Sequence, residues 1–294
     1  MRHRSWILVI CLLTAVSLLA GCDRVSDRAG SDARLLVTSD YGRTVRSTDG
    51  LAAGHSVLDG LRATHTVETE FGGGFVSSID GLRTTTSPAR DWFYYVNGMY
   101  AGHGAAEQIV RAGDQIWWDH RAWQGHPTAS GVVGDWPQPF VNGYPSRPAA
   151  VSADPPLDSV LKERGVNIVP GDAPYRVRVD ADDALSRRDP AWRRARGASD
   201  SELVARVQGD HVQVIDDAGR WWTPPGGRAV AVLVITGSTA EDGGALLAVA
   251  GVTEGDARRA ADTIARDPEV LAHRYGVAFD GGGKPVATAG WARP

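Results

Sequence analysis

Apolar positions along this chain fall into one short uncharged block, followed by long stretches that alternate between strand-like and helix-like spacing. The block runs from Ser5 to Ala20 and is rich in Leu, Ile, Val and Ala. Arg2 and Arg4 precede it, and Asp23, Arg24 and Asp27 follow it. It is shorter than the ~20 residues of a membrane-spanning helix. Its basic head and small-residue end predict a secretory signal over residues 1–21. Residues 22–33 are polar and small and read as a tether.

Beyond the tether, Leu35 and Val37 predict a strand from Ala33 to Ser39, turned at Tyr41-Gly42 and returning from Arg43 to Ser47. Val57, Leu58 and Leu61 share one side of a short helix from Ser56 to Thr64. An extended run from Val67 leads into Phe71-Gly72-Gly73-Gly74-Phe75, a glycine loop between aromatics. A strand from Phe75 to Ile79 is closed by Asp80-Gly81. Asp91 to Val96 ends at the hairpin signal Asn97-Gly98, and Gly113-Asp114 turns into a strong β segment from Gln115 to Trp123. One helix among several strands predicts a small α+β domain, β-grasp-like, over residues 34–136.

Prolines at 137, 139, 145, 148, 155 and 156 predict a semi-rigid linker over 137–156. Residues 157–294 predict a second α+β domain. Its signals are a helix from Leu157, a strand from Tyr175, a hairpin around Gly209-Asp210, and apolar β runs from Arg228 to Thr236 and Ala245 to Val252. A helix starts at Thr253 with Asp256 in a capping-box position and is stopped by Asp267-Pro268. Strands from Val277 and Pro285 complete it. The acidic string Asp180-Ala181-Asp182-Asp183 reads as an exposed loop.

Composition adds three constraints. Hydrophobic residues are 43% and charged residues 22%, which suits a globular core. Loss of Arg2 and Arg4 takes the 31 basic residues to 29 against 35 acidic ones, a net charge of −6. That balance argues against nucleic acid and against a polybasic membrane patch. Ten tryptophans supply large amphipathic rings for a core or a binding surface.

The signal ends Leu19-Ala20-Gly21-Cys22, which resembles the lipobox of bacterial lipoproteins. The resemblance implies cleavage before Cys22 and a diacylglyceryl thioether on its sulfur. Cysteine usage agrees: of Cys11 and Cys22, only Cys22 survives cleavage, so no intramolecular disulfide can form. Two acyl chains satisfy the need for more than one chain in stable anchoring. The expected location is the extracytoplasmic face of the cell membrane.

Five strings in order carry a second resemblance. They are Ser56-Val57-Leu58-Asp59-Gly60-Leu61, Gly74 to Gly81, Trp92-Phe93-Tyr94-Tyr95-Val96-Asn97-Gly98, Gly104-Ala105, and Val110 to Trp118. Together they resemble a bacterial domain of unknown function that is similar to the C-terminal β domain of transcobalamin and intrinsic factor. In the animal carriers that domain closes over cobalamin opposite an α-barrel; no such barrel is legible here. The resemblance implies a ligand-binding role, with a corrinoid as the named ligand and a membrane importer as a partner. It also makes His126 the histidine that would reach the cobalt.

Strand parity places Ile116, Trp118 and His120 on one face and Trp117, Asp119, Arg121 and Trp123 on the other. One face covers the core and the other is expected to meet solvent or a ligand. The candidate ligand-binding residues are Phe71, Phe75, Tyr94, Trp118, His120, Trp123 and His126. Trp221-Trp222 is expected to face them across the two halves. No pair of histidines has metal spacing, no G-x-S-x-G nucleophile motif occurs, and the glycine run lacks the Lys of a phosphate loop. The expectation is a noncatalytic binding protein without metal or cofactor, cobalamin being a candidate ligand; an envelope interaction module is the alternative. In the native host, metabolic labelling with a fatty acid is expected to mark the wild type and to fail for Cys22→Ala, which should leave the membrane fraction.

Overall fold

A computed structural model describes residues 32–126, 128–144, 146–197, 202–225, 229–237 and 244–293. The signal segment and Cys22 lie outside the described residues. Ala33, Leu35 and Val37 point into the core from the strand Ala33–Ser39. That strand pairs antiparallel with Thr44–Leu51 and parallel with Gln115–Ala122. Gln115–Ala122 in turn pairs antiparallel with Ala89–Val96. Parallel pairing of the first and last strands needs a crossover, and the helix Val57–Thr64 lies within it. Ser56 caps this helix by accepting the Asp59 amide at 3.0 Å, and Val57, Leu58 and Leu61 bury its inner side. A small sheet of Val67–Glu70, Phe75–Ile79 and Leu82–Arg83 lies alongside. The first half is therefore α+β and β-grasp-like, as its pattern predicts.

The second half is built on a six-stranded mixed sheet in the order Val151–Ala153, Tyr175–Ala181, Ala245–Gly251, Ala229–Thr236, Val277–Asp280, Pro285–Thr288. The two innermost strands are apolar throughout because both of their faces are covered. Helix Glu254–Arg266 packs Ala257, Ala260, Ala261 and Ile264 inward, and Thr253 and Asp256 form the expected capping box. The hairpin Ala205–Gln208 with His211–Ile215 falls where its turn signal places it. Among the described residues no helix is long and apolar enough to cross a membrane.

Two local expectations are corrected. The acidic string does not remain an exposed loop: Asp182 is buried, opens helix Asp182–Arg188, accepts the Trp192 indole N–H at 3.0 Å and pairs with Arg196 at 2.7 Å. The proline-rich segment 137–156 does not act as a spacer. Phe140 is fully buried, Val151–Ala153 joins the second sheet, and the Tyr175 hydroxyl binds the Tyr144 carbonyl at 2.7 Å and amide at 2.9 Å. The aromatic and β-branched residues between the prolines bury apolar area that outweighs the prolines' preference for extended, solvated chain. Both hydrophobic clusters of the molecule draw residues from both halves.

The Asn97-Gly98 turn sits at this junction. Gly98 has a φ of 79°, and a Cβ there would lie 3.1 Å from the Val132 carbonyl and 3.3 Å from Asp135 Cβ. Asp135 is buried, one of its carboxylate oxygens (Oδ2) has no partner, and only the Gly98 amide supports the carboxyl. Burial therefore pushes its pKa up to about 7. A raised carboxyl pKa stabilises the fold fully below the unfolded value near 4, and this stabilisation is lost as pH rises through about 7. Chemical denaturation of wild type and Asp135→Asn should thus show the wild type losing up to ~1.4 kcal/mol more per pH unit across that window.

Candidate functional site

In the strand Ala89–Val96, Trp92, Tyr94 and Val96 share one face, and the antiparallel register sets Tyr94 opposite Trp118. Their rings stack with centroids 4.8 Å apart and planes 21° apart. Phe75 arrives from the small sheet, and Tyr100 and His103 from the chain after the hairpin. Together with Trp92 they line an open cleft of about 210 Å³. Trp92 is fixed by its indole N–H, which donates to the Leu82 carbonyl at 2.9 Å. The Tyr94 hydroxyl donates to the His103 carbonyl, and burial raises its pKa.

Phe71 stands at the mouth, 86% exposed, with its ring edge-on to Phe75 at 6.4 Å. The glycine loop forms a turn of 3-10 helix with left-handed backbone at Phe71, Gly72 and Gly73. No atom lies near a Cβ built on Gly72.

Of the seven candidate residues, Phe75, Tyr94 and Trp118 converge on the cleft and Phe71 flanks it. The other three lie elsewhere. His120 is sealed beside Trp92, with its Nε2 3.0 Å from the Arg83 carbonyl, and burial lowers its pKa to about 4. His126 is 4% exposed, and burial lowers its pKa to about 4 as well; its ring meets Trp221 edge-on at 6.2 Å. Trp123 is half-buried beyond the end of its strand. Trp92, Tyr100 and His103 were not singled out from sequence. Trp92 was recoverable, because it shares its strand face with Tyr94. Among the described residues no group of three His, Cys, Asp or Glu side chains could hold a metal ion.

The opposite strand face is buried from Trp117 to Arg121. Trp117 is fully buried, and its indole donates to the Thr38 hydroxyl at 2.7 Å. That hydroxyl donates to Asp119 at 2.6 Å, and the Gly42 amide reaches the same carboxylate at 3.2 Å. From the second half, Tyr275 donates to Asp119 at 3.0 Å and lies edge-on to Trp117, 5.5 Å away. The Arg121 guanidinium sits 3.8 Å over the Phe93 ring and donates to the His126 carbonyl at 3.0 Å. Burial raises the Asp119 pKa against the pull of Thr38, Gly42, Tyr275 and Arg121. Here the seam is close: a Cβ on Gly42, whose φ is 78°, would lie 2.0 Å from the His273 carbonyl.

A family profile described as a domain of unknown function, DUF4430, matches residues 54–122, less than a quarter of the chain. No curated protein matches. Solved structures similar to the chain include a candidate metal binding protein from Ruminococcus gnavus, at 15% identity over 31% of this chain and 95% of that one. They also include haptocorrin in complex with Cbi, at 16% identity over 31% of this chain and 25% of that one. Both have a TM-score of 0.26. The profile ends at the last residue of the aromatic strand and takes in every ring that lines the cleft.

Arg121→Met would leave the Asp119 carboxylate buried without its cationic neighbour. It also removes the guanidinium's hydrogen bond to the His126 carbonyl, and is expected to cost ~1.5–3 kcal/mol in urea denaturation, the range for a hydrogen bond to a charged group.

Proposed function

We propose that this is a noncatalytic binding protein whose cleft takes the apolar end of a small ligand. The observation that carries the reading is the convergence of Phe75, Tyr94 and Trp118, from three strands, on one open cleft. Aromatic walls with a few fixed polar groups are the usual makings of a ligand site. At about 210 Å³ the cleft is smaller than the ~300–1,000 Å³ of sites that enclose a ligand, so a large ligand enters by one edge. A corrinoid is the named candidate, on the strength of the five strings. His103 is the imidazole at the rim, whereas His120 and His126 are out of reach behind other side chains. In this reading Cys22 carries the lipid that holds the protein at the outer face of the membrane, where it passes its ligand to a membrane importer.

A second reading, an envelope module that binds another protein, is favoured by Phe71, an aromatic ring left almost wholly in water. Titration of the protein with cobinamide, followed by corrin absorbance and calorimetry, tests the first. Saturable binding is expected, weakened at least about tenfold in Phe75→Ala, which removes one wall worth ~1.4 kcal/mol or more. A flat titration in both signals removes the corrinoid from consideration.

A further inference from the structure

The ladder along the outer side of strand Ala89–Val96 is broken at its middle. Thr86 and Thr85 pair with Ala89 and Arg90, and Tyr100 and Met99 pair with Tyr95 and Val96. The Ala101 amide reaches the Tyr94 carbonyl at 3.2 Å. On the inner side pairing is continuous from Arg90 to Val96. In an extended strand the amide and carbonyl of one residue point to the same side, and alternate residues share that side. The Tyr94 carbonyl points outward, so the amide and carbonyl of Trp92 do too. Among the described residues no strand pairs with them there. The strand across the cleft is interrupted in the same way. Arg83 and Leu82 pair with Ser78 and Ile79, the Thr84 amide binds the Ser77 carbonyl at 2.9 Å, and no outer strand continues to Phe75. The cleft therefore opens between two strand edges, each of which loses its outer partner beside the aromatic walls.

Backbone donors and acceptors in a protein interior are almost always paired. An unpaired amide and carbonyl beside an apolar cleft are the kind of groups an extended peptide engages when it adds to a sheet edge. We propose that the cleft binds an extended peptide segment of a partner protein, which adds as a short strand at Trp92 and places one apolar side chain between Phe75, Tyr94 and Trp118. The proposal rests on the cleft being a binding site and gives its ligand a class. Charge narrows that class. Asp91 lines the cleft, and Glu107 acts electrostatically on the Tyr94 hydroxyl. Basic residues beside the apolar one therefore suit the mouth. The exposed Phe71 ring, edge-on to Phe75, extends the apolar wall toward the peptide's next side chain on that face.

The test uses the intact, 15N-labelled protein and two probes. One is acetyl-Lys-Val-Leu-Val-Lys-amide; the other is the same peptide N-methylated at its three central residues. Before peptide is added, the Trp92 amide is expected to exchange with solvent faster than the inward-bonded amides beside it. The first peptide should protect that amide and shift the Trp92 and Tyr94 resonances. The methylated peptide, stripped of its central donors, should bind at least roughly tenfold more weakly. A Trp92 amide already protected in the free protein, equal binding of both peptides, or no binding of either overturns the proposal. Cobinamide binding without a peptide response sinks the peptide and leaves the cleft as a ligand site. Silence toward cobinamide and both peptides sinks the cleft itself.

Discussion

Burial of both faces of the strand Gln115–Ala122 is the constraint on which the rest of the molecule depends. Its sequence places large or charged side chains on each side: Ile116, Trp118 and His120 on one, Trp117, Asp119 and Arg121 on the other. A lone sheet-and-helix domain covers one face only. The second half covers the other, and it does so with polar precision. Tyr275 supplies both the ring that packs on Trp117 and the hydroxyl that satisfies Asp119. A carboxylate and a guanidinium held out of water require neighbours in fixed positions, and the seam is close enough at Gly42 that a side chain there would strike the His273 backbone and the Trp117 ring. The two halves share their hydrophobic clusters and meet as one packed body.

This arrangement limits where the proposed ligand can go. An aromatic strand read alone offers two faces for binding; the seam removes one. What remains is the edge beside Trp92, where Tyr94 and Trp118 meet Phe75 from a different sheet. The stacked pair is held from below by the helix-side core, and the glycine loop leaves the mouth uncrowded. The cleft is a gap between two sheets.

Much of this was legible in the chain. Asn97-Gly98 fixed a hairpin, Thr253 and Asp256 a helix start, and parity separated Trp117 from Trp118. Side chains whose partners lie nearby in sequence were read well for that reason. Helix Pro190–Gly197 was missed because Trp192 is its single fully buried side chain, leaving arginines to dominate its pattern. The stretch 137–156 was misread because prolines signal extension, while Phe140 and Tyr144 find their partners far along the chain. His120 and His126 looked available because a strand end is usually solvated; the Arg83 segment covers one and Trp221 packs against the other. The interrupted ladder at Trp92 has no local signature at all, since it is a property of which strands fail to meet.

The order of the chain gives the seam a temporal side. The first strand pairs with one about eighty residues later (Thr38 with Asp119), and the face bearing Tyr41, Tyr95 and Trp117 is closed by Tyr275 and Ala289, near the C-terminal end. A polypeptide emerging from its amino end therefore completes its first sheet long before the cover for that sheet exists. For the time it takes roughly another 150 residues to appear, an aromatic surface built on Tyr41, Tyr95 and Trp117 is wet, and escorting it until release is a task for the cell rather than for the sequence.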